Sequence, residues 1–387
     1  MNLHGKTAFV TGGSGFIGGR LVEVLVRQYG MRVKTLVRAT TSAGGGAFRA
    51  AAAGAEIVFG SMLDRATLDA ALAGCDLVFH CAYGTHGSVA EQREVTVEGT
   101  RLLARAAGAA GIGHFIHLGT VASFGGNTPP CVDESFVDAR LWNWPYARDK
   151  LDAERALDQE ARAAGMGFTI LRLGMVYGPY GTSYTVGPLH AITHGRLALV
   201  DDGRGVSSAT YVDDVIQAML LAAMRPGEGE IFMIRGPDRV TWRQFYQVYD
   251  GWIGRDSLVS LSKAEMIAAS RGRWKAAARA LLPATFAALK ASPAFRRSAS
   301  GLPYVRQLYA RLGKRMIGPV VARNPGGPAP VERSTQLIPE IMIDYFANTS
   351  EFSIDKARSK LGYAPQFDLK RGMDFTEQWA RWANLIR

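Results

Sequence analysis

The sequence of 387 residues contains few cysteines. Cys75, Cys81 and Cys131 are odd in number and have no Cys-x-x-Cys spacing. This pattern argues against a disulfide framework and against a zinc site, and it fits a reducing cytoplasm, where we expect the protein to be. The seven histidines have no spacing typical of metal ligands, so we expect no bound metal.

Long apolar runs and nucleic-acid motifs are also missing. No segment has 18 uncharged apolar residues in succession, so we expect no membrane-spanning helix. The N-terminal sequence MNLHGKTAFVTGG leads into a strand with no apolar signal region before it. No zinc-finger or RNP-like pattern is present, so we expect no nucleic-acid partner. The length is sufficient for one large domain or two, with a sizeable core.

The net charge of +11 is concentrated in one segment. Residues 262–324 hold thirteen Lys and Arg and one acid, Glu265, whereas the rest of the chain has 32 basic and 33 acidic residues. On both sides of Pro283, apolar and aromatic residues recur at helical spacing with basic residues between them. Such basic amphipathic helices are typical of peripheral contact with a membrane surface. The alternative is a lid that packs on the substrate-binding portion and leaves its basic face in solvent.

A glycine-rich turn follows the first strand. The stretch KTAFVTGGSGFIGGRLVEVLVRQYG predicts a short strand, a turn with Gly12, Gly15 and Gly18, and an amphipathic helix. Such glycines let the backbone approach a pyrophosphate at the positive end of a helix. The pattern between a strand and a helix therefore indicates a dinucleotide site, although a tight turn that binds nothing has the same spacing.

Strands and helices alternate after this turn. We predict strands at 32–38, 55–61, 77–82 and 114–120, with helices around 64–73 and 96–110. Alternation of this kind predicts an α/β fold with a Rossmann-type, doubly wound parallel sheet, whose ligands bind at the carboxyl ends of the strands. We assign residues 1–174 to this domain, with a strand at 230–236 that returns to its sheet. Residues 175–387 form the smaller substrate-binding portion, with the basic insertion at 262–324.

Tyr146 and Lys150 lie four residues apart at the start of a predicted helix. At this spacing the two side chains share one helical face. An ammonium beside a phenol favours the phenolate, which makes tyrosine a usable general acid or base. Taken alone, the spacing also fits a Tyr and a Lys that simply share a surface.

The whole motif pattern resembles the extended short-chain dehydrogenases/reductases, the NAD(P)-dependent epimerase/dehydratase family that includes 3β-hydroxysteroid dehydrogenases and dihydroflavonol reductases. The matching motifs are TGGSGFIG (11–18), GSMLD (60–64), VFHCAY (78–83), EGT (98–100), HLGTVASFG (117–125), YARDK (146–150), LRLGMVYGP (171–179), YVDDV (211–215) and the C-terminal stretch 353–373. They cover most of the chain apart from about 245–340.

The resemblance implies roles for particular residues. Tyr146 would exchange a proton with the substrate oxygen, Lys150 would lower the tyrosine pKa and hold the nicotinamide ribose, and Thr120 would bind the same substrate oxygen. Ser123 is the alternative to Thr120. The residues expected to bind the cofactor are Gly12, Ser14, Gly15, Phe16, Ile17, Gly18, Arg38, Ser61, Met62, Cys81, Ala82, Tyr83, Tyr146, Lys150, Leu173 and Val176.

Arg38 follows the second strand, where family members specific for NAD usually have an acid. No acid occurs between Val33 and Glu56. A guanidinium binds a 2′-phosphate that a carboxylate would repel, and the hydroxyls at 40–42 add donors. We therefore predict a preference for NADP(H), with NAD(H) as the alternative cofactor and stacking on adenine as the alternative role of Arg38.

Two departures from the family pattern concern the substrate. Met175 replaces an asparagine that commonly faces the diphosphate of nucleotide sugars, and Ser207-Ser208-Ala209 replaces a run that often carries arginine. Trp142 and Trp144 flank the catalytic pair and suit either an apolar pocket or core packing. We predict an NADP(H)-dependent dehydrogenase or ketone reductase for a lipophilic, steroid-like or polyketide-like molecule. The alternative functions are a nucleotide-sugar epimerase or dehydratase and a non-catalytic binding protein. A homodimer is the assembly that we expect.

Overall fold

The computed structural model describes residues 2–38, 46–126, 128–136, 144–272 and 335–386. The predictions for Thr40 to Ser42, for Trp142 and for most of the basic insertion lie outside these residues. Within the described part of the chain, no helix has both the length and the apolar character needed to cross a bilayer.

Strands and helices alternate along the first two thirds of the chain. The strands are β1 Thr7–Thr11, β2 Arg32–Val37, β3 Glu56–Phe59, β4 Leu77–His80, β5 His114–Thr120, β6 Cys131–Val132, β7 Gly167–Leu173, β8 Met175–Tyr177, β9 Arg196–Val200, β10 Ala209–Tyr211, β11 Glu228–Ile234, β12 Leu258–Leu261, β13 Thr335–Gln336 and β14 Glu351–Phe352. The helices are α1 Phe16–Arg27, α2 Gly46–Ala53, α3 Arg65–Leu72, α4 Val89–Arg93, α5 Gly99–Ala109, α6 Pro145–Ala164, α7 Gly187–His194, α8 Val212–Met224, α9 Trp242–Ile253, α10 Ile343–Ala347 and α11 Leu369–Trp382.

Seven strands form one parallel sheet in the order β11-β7-β5-β4-β1-β2-β3. The sheet first grows from β1 through β2 and β3 on one side. The next strand, β4, pairs with the other side of β1, so the direction in which strands are added reverses there. A crevice forms at such a reversal, outside the carboxyl ends of the strands. The fold confirms the predicted Rossmann-type α/β architecture, and the predicted strand at 230–236 is β11, two residues earlier.

Two apolar layers cover the sheet. On one face α1 and α8 pack through buried residues such as Leu21, Leu25 and Met219. On the other face α5 and α6 pack through Leu103 and Leu157. The alternation of βαβ units requires helices on both faces of a parallel sheet, because each connection must cross over it.

The C-terminal part of the chain has its own core. This core joins α7, β9, α9 and α11 around large buried rings, including Trp242, Phe245 and Tyr249. Met175 is buried in this core and is 1% exposed. Two further strands, β12 and β13, pair in parallel with β9 to form a small second sheet. Phe16 and Ile17, at the start of α1, pack against this core.

Candidate active site

The glycine turn leaves no room for side chains. Gly12 has φ +72°, and a Cβ there would lie 2.9 Å from the backbone nitrogen of Ala82. A Cβ on Gly18 would lie 2.3 Å from the carbonyl oxygen of Gly12. Helix α1 begins directly after Gly15, and no side chain caps its first turn. The free N–H groups and the close backbone approach fit the pyrophosphate of a dinucleotide.

A cavity of about 500 Å³ opens at the carboxyl edge of the sheet. All of the residues expected to bind the cofactor line it, together with Thr120. Sequence reasoning missed other lining residues, which are Thr11, Leu36, Gly60, Gly84, Thr85, His86, Val95, Leu118, Gly119, Gly174, Gly181, Thr182, Ser183 and Tyr184. Several of these residues follow a recognised motif by a few positions, and this closeness in the sequence is the signal that could have identified them. No group of three or more potential metal ligands occurs among the described residues.

Thr120 and Tyr146 meet at the centre of this cavity. Thr120 is the last residue of β5, and its hydroxyl accepts a hydrogen bond from the backbone N–H of Ala122 at 3.2 Å. The side chains of Thr120 and Tyr146 are hydrogen-bonded to each other. Ser123 does not line the cavity, and its hydroxyl donates to the Thr120 carbonyl oxygen at 2.7 Å. The geometry therefore favours Thr120 over Ser123 as the partner of Tyr146.

Helix α6 carries Tyr146 and Lys150 in its first two turns. Trp144 is the N-cap residue and Pro145 occupies the first turn, where its missing N–H removes no helical hydrogen bond. Lys150 is 4% exposed, and its ammonium lies 5.9 Å from the centre of the Tyr83 ring. One helical face thus presents both side chains to the cavity, as the spacing predicts.

Burial controls the charges of this pair. It raises the pKa of Tyr146 above its ordinary value, with a further rise from Tyr83 and an opposing effect from the Thr120 hydroxyl. It lowers the pKa of Lys150 to about 8, against an opposing effect of Glu154. The expected lowering of the Tyr146 pKa by Lys150 therefore does not dominate here. Tyr146 is a protonated phenol at neutral pH, with an ammonium one helical turn away.

Arg38 lies immediately after β2 and is exposed at the rim of the cavity. Its Nη2 donates to Nδ1 of His86 at 3.2 Å. Because a guanidinium has no acceptor, His86 must accept through Nδ1 and carry its proton on Nε2. Both side chains line this corner of the cavity.

Tyr146 and four aromatic side chains around it form a group of five, which we call the aromatic cluster. They are Tyr83, Trp144, Tyr146, Tyr184 and Tyr345. The Tyr146 ring lies 5.4 Å from that of Tyr83 and 5.3 Å from that of Trp144. Tyr184 is hydrogen-bonded to Tyr345, whose ring lies 5.8 Å from Trp144. Tyr83, Tyr146 and Tyr184 line the cavity, so the cluster presents aromatic rings with their hydroxyls to this end of it.

The two positions thought to have lost diphosphate contacts lie away from the cavity. Neither Met175 nor the run from Ser207 to Ala209 is among the described lining residues. Ser207 is buried, and its hydroxyl donates to the Val240 carbonyl oxygen at 2.9 Å. Of the described residues that line the cavity, Arg38 and Lys150 are the only lysine or arginine side chains.

Comparisons with known proteins agree with this geometry. The chain is 34% identical over 242 residues to a 4-hydroxy-2-methyl-3-oxo-4-farnesyl-3,4-dihydroquinoline-1-oxide ketoreductase from Stigmatella aurantiaca, with 61% of this chain and 70% of that protein covered. It is 28% identical to a dTDP-glucose 4,6-dehydratase from Streptomyces niveus, with 58% and 71% covered. A dTDP-glucose 4,6-dehydratase structure from Streptomyces venezuelae, with bound NAD, superposes with a TM-score of 0.68, at 21% identity and 97% coverage of both chains.

The model of the NAD-dependent epimerase/dehydratase family matches residues 8–234, which is more than half of the chain. This stretch contains the glycine turn, the Thr120–Tyr146–Lys150 group and six of the seven strands of the sheet in full, together with all but Thr7 of β1. The protein is an NAD(P)-dependent enzyme and belongs to the NAD-dependent epimerase/dehydratase family.

Proposed function

We propose that this enzyme is an NADP(H)-dependent oxidoreductase that interconverts a secondary alcohol and a ketone on a lipophilic substrate. The observation that carries the proposal is the placement of a protonated Tyr146 inside the aromatic cluster, with Thr120 and Lys150 beside it. This arrangement offers a proton to a carbonyl oxygen and apolar surfaces to the rest of the molecule.

The glycine turn from Gly12 to Gly18 would hold a nicotinamide dinucleotide, which would supply the hydride that the carbonyl carbon receives in the reductive direction. The phenol of Tyr146 donates its proton to the carbonyl oxygen, so that one hydride and one proton convert the ketone into an alcohol. The Thr120 hydroxyl orients this oxygen toward Tyr146. The ammonium of Lys150 stabilises the phenolate that remains and holds a ribose hydroxyl. In the oxidative direction the phenolate takes the proton from the alcohol.

The polarity of the cavity supports a lipophilic substrate. A nucleotide sugar brings a diphosphate, which proteins usually hold with arginine or lysine. The described lining offers Arg38 at the cofactor rim and Lys150 at the catalytic centre, and aromatic rings elsewhere around the phenol. The similarity to a ketoreductase of a farnesylated quinoline points in the same direction.

A nucleotide-sugar epimerase or dehydratase is the second candidate, which the similarity to the Streptomyces niveus dehydratase favours. A turnover screen separates the two. Purified enzyme with NADPH is given cyclic lipophilic ketones in one set and dTDP- and UDP-sugars in the other. We expect NADPH oxidation with the ketones. Conversion of a sugar nucleotide, with no turnover of any ketone, would contradict the proposal.

A preference for NADP(H) over NAD(H) is part of the proposal. It rests on Arg38 and His86, two donors at the corner where the adenosine ribose of a dinucleotide would lie after β2. Charge-assisted hydrogen bonds from arginine favour a phosphate over a hydroxyl.

Reversible contact with an anionic membrane through residues 262–324 is a further proposal, carried by the excess of basic residues in that segment. Each basic group near such a surface contributes about 1 kcal/mol, and the attraction is screened by salt. We expect sedimentation with anionic liposomes at low salt but not at high salt. Equal recovery of the protein in the supernatant with and without these liposomes would contradict the membrane contact and leave the lid as the interpretation of this segment.

A homodimer is the assembly that we propose, and sedimentation equilibrium of the purified protein tests it.

A further inference from the structure

Helix α6 continues the catalytic row by one more turn. Tyr146, Lys150 and Glu154 follow one another at intervals of four residues, so the three side chains lie on one face, about 5–6 Å apart at Cβ. Glu154 is 3% exposed and Lys150 is 4% exposed. A buried carboxylate therefore lies directly behind the buried ammonium.

Glu154 is held in place from the neighbouring strand. Arg172 in β7 donates from Nε at 3.0 Å and from Nη2 at 2.7 Å to the same carboxylate oxygen, Oε2. The Arg172 guanidinium lies 4.9 Å from the centre of the Phe124 ring. A Cβ at Gly119 would come within 2.3 Å of the other oxygen, Oε1. The glycine in β5 thus leaves the space that the carboxylate occupies.

The histidines, the cysteine and the tyrosines around Lys150 are neutral. Burial lowers the pKa of His80 to about 3 and that of His117 well below its ordinary value. It raises the pKa of Cys81 to about 12 and also raises that of Tyr83 and Tyr146. On α6 itself, the buried carboxylate of Asp149 accepts from Nη1 of Arg93 at 2.6 Å and is paired with that cation. Among the described residues, Glu154 is the anion whose charge acts on Lys150.

We propose that Glu154, anchored by Arg172, is a positioning residue that keeps Lys150 in its ammonium form and thereby sets the alkaline limit of the reaction. The inference rests on the proposed function, because it assumes that Lys150 works with Tyr146. Burial alone favours the neutral amine, and it lowers the pKa of Lys150 to about 8 even with Glu154 present. Without the carboxylate, the ammonium would lose its proton nearer to neutral pH.

The test is the pH profile of Glu154→Gln. We expect the alkaline limb of kcat to move down by about one to two pH units, from the Coulomb energy of two charges about 6 Å apart at an effective dielectric constant of about 20. The affinity for NADPH, measured by fluorescence titration against pH, should shift in parallel because the ammonium holds the ribose. Glu160→Gln is the matched control on the same helix, since its carboxylate pairs with Arg105 and Arg101 away from the cavity.

Glu154→Gln leaves Arg172 buried without its partner, which can destabilise the fold. The double variant Glu154→Gln/Arg172→Gln removes both charges and keeps similar volumes. Circular dichroism establishes folding, and we expect the alkaline limb of this variant to move down by at least about half a pH unit. Restoration of the limb by Glu154→Asp would support the carboxylate charge as the cause.

Lys150→Met separates the two hypotheses. If Lys150→Met loses turnover while a folded Glu154 variant keeps the alkaline limb of the unmodified enzyme, the role of Glu154 is wrong and the proposed function stands. If Lys150→Met retains full turnover and NADPH affinity, the catalytic assignment fails, and the inference fails with it.

Discussion

The end of the cavity around the glycine turn and the end around Tyr146 are built in different ways. The first, which we call the cofactor end, is a continuous stretch from Gly12 to Gly18 joined by Arg38. The second, the reaction end, brings Thr120, Tyr146 and Lys150 together with rings from sequence-distant segments. At the cofactor end the missing side chains create the binding surface. At the reaction end, packed side chains set the polarity and the pKa values.

The comparison teaches where substrate identity is encoded. A dinucleotide is common to many enzymes, so a short backbone motif suffices to bind it. Under the proposed function, the substrate would be recognised by surfaces from distant segments, such as Tyr345, whose ring lies 5.8 Å from that of Trp144. Changes at the two ends should therefore separate cofactor binding from chemistry and from substrate affinity.

The largest expected effect is on chemistry alone. Tyr146→Phe removes the proton donor and should lower turnover by at least about 100-fold, while NADPH affinity stays within about threefold. Steady-state kinetics and fluorescence titration measure the two quantities. Tyr29→Phe, at a tyrosine far from the cavity, is the control. Near-normal turnover of Tyr146→Phe would remove Tyr146 from the mechanism.

At the cofactor end, Arg38→Asp should discriminate between the two cofactors. Loss of a charge-assisted contact and repulsion of the 2′-phosphate should weaken NADPH binding by about 100-fold and change NADH binding by less than about threefold. Calorimetric titration with both cofactors measures this. Tighter binding of NADH than NADPH by the unmodified enzyme would show that the preference is wrong.

Gly18→Ala should affect both cofactors equally. Its Cβ would meet the Gly12 carbonyl oxygen at 2.3 Å, so the turn must move away from the position that receives the pyrophosphate. We expect about tenfold weaker binding of NADPH and of NADH, from strain on the order of 1–3 kcal/mol. Gly251→Ala is the control, because nothing lies within 4 Å of its Cβ. Unchanged affinity in a folded Gly18→Ala protein would contradict the proposed cradle.

The smallest effect is expected in the aromatic cluster. Trp144→Ala removes ring contacts with Tyr146 and Tyr345 and should raise KM for a lipophilic ketone by about 3–10-fold, since such a contact contributes about 0.5–1.5 kcal/mol. NADPH affinity should not change. A rise in the Kd of NADPH with no rise in the KM of the ketone would show that Trp144 acts at the cofactor end and not at the reaction end.

Local sequence patterns predicted the glycine turn and the strands and helices around it. The glycines, the following helix and the alternation of strands act over a few residues, because each depends on backbone conformation and on hydrophobic periodicity. Element boundaries differed by one to three residues; for example, the predicted helix at 96–110 continues from a π-helical turn at Glu94–Glu98. Burial outweighs the predicted effect of Lys150 on the pKa of Tyr146. The spacing of the two residues along the chain gives no information about how deeply they are buried.

The sequence by itself determined the family, the alternation of strands and helices and the face that Tyr146 shares with Lys150, because all three follow from residue type and short-range spacing. Only the tertiary structure decided that Met175 lies in a core and not on the cavity wall, that His86 stands beside Arg38, and that Arg172 meets Glu154 across Gly119. Each of these contacts joins elements far apart in the chain. Their existence depends on how βαβ units pack, and the packing sets the burial that controls the charges of Tyr146 and Lys150.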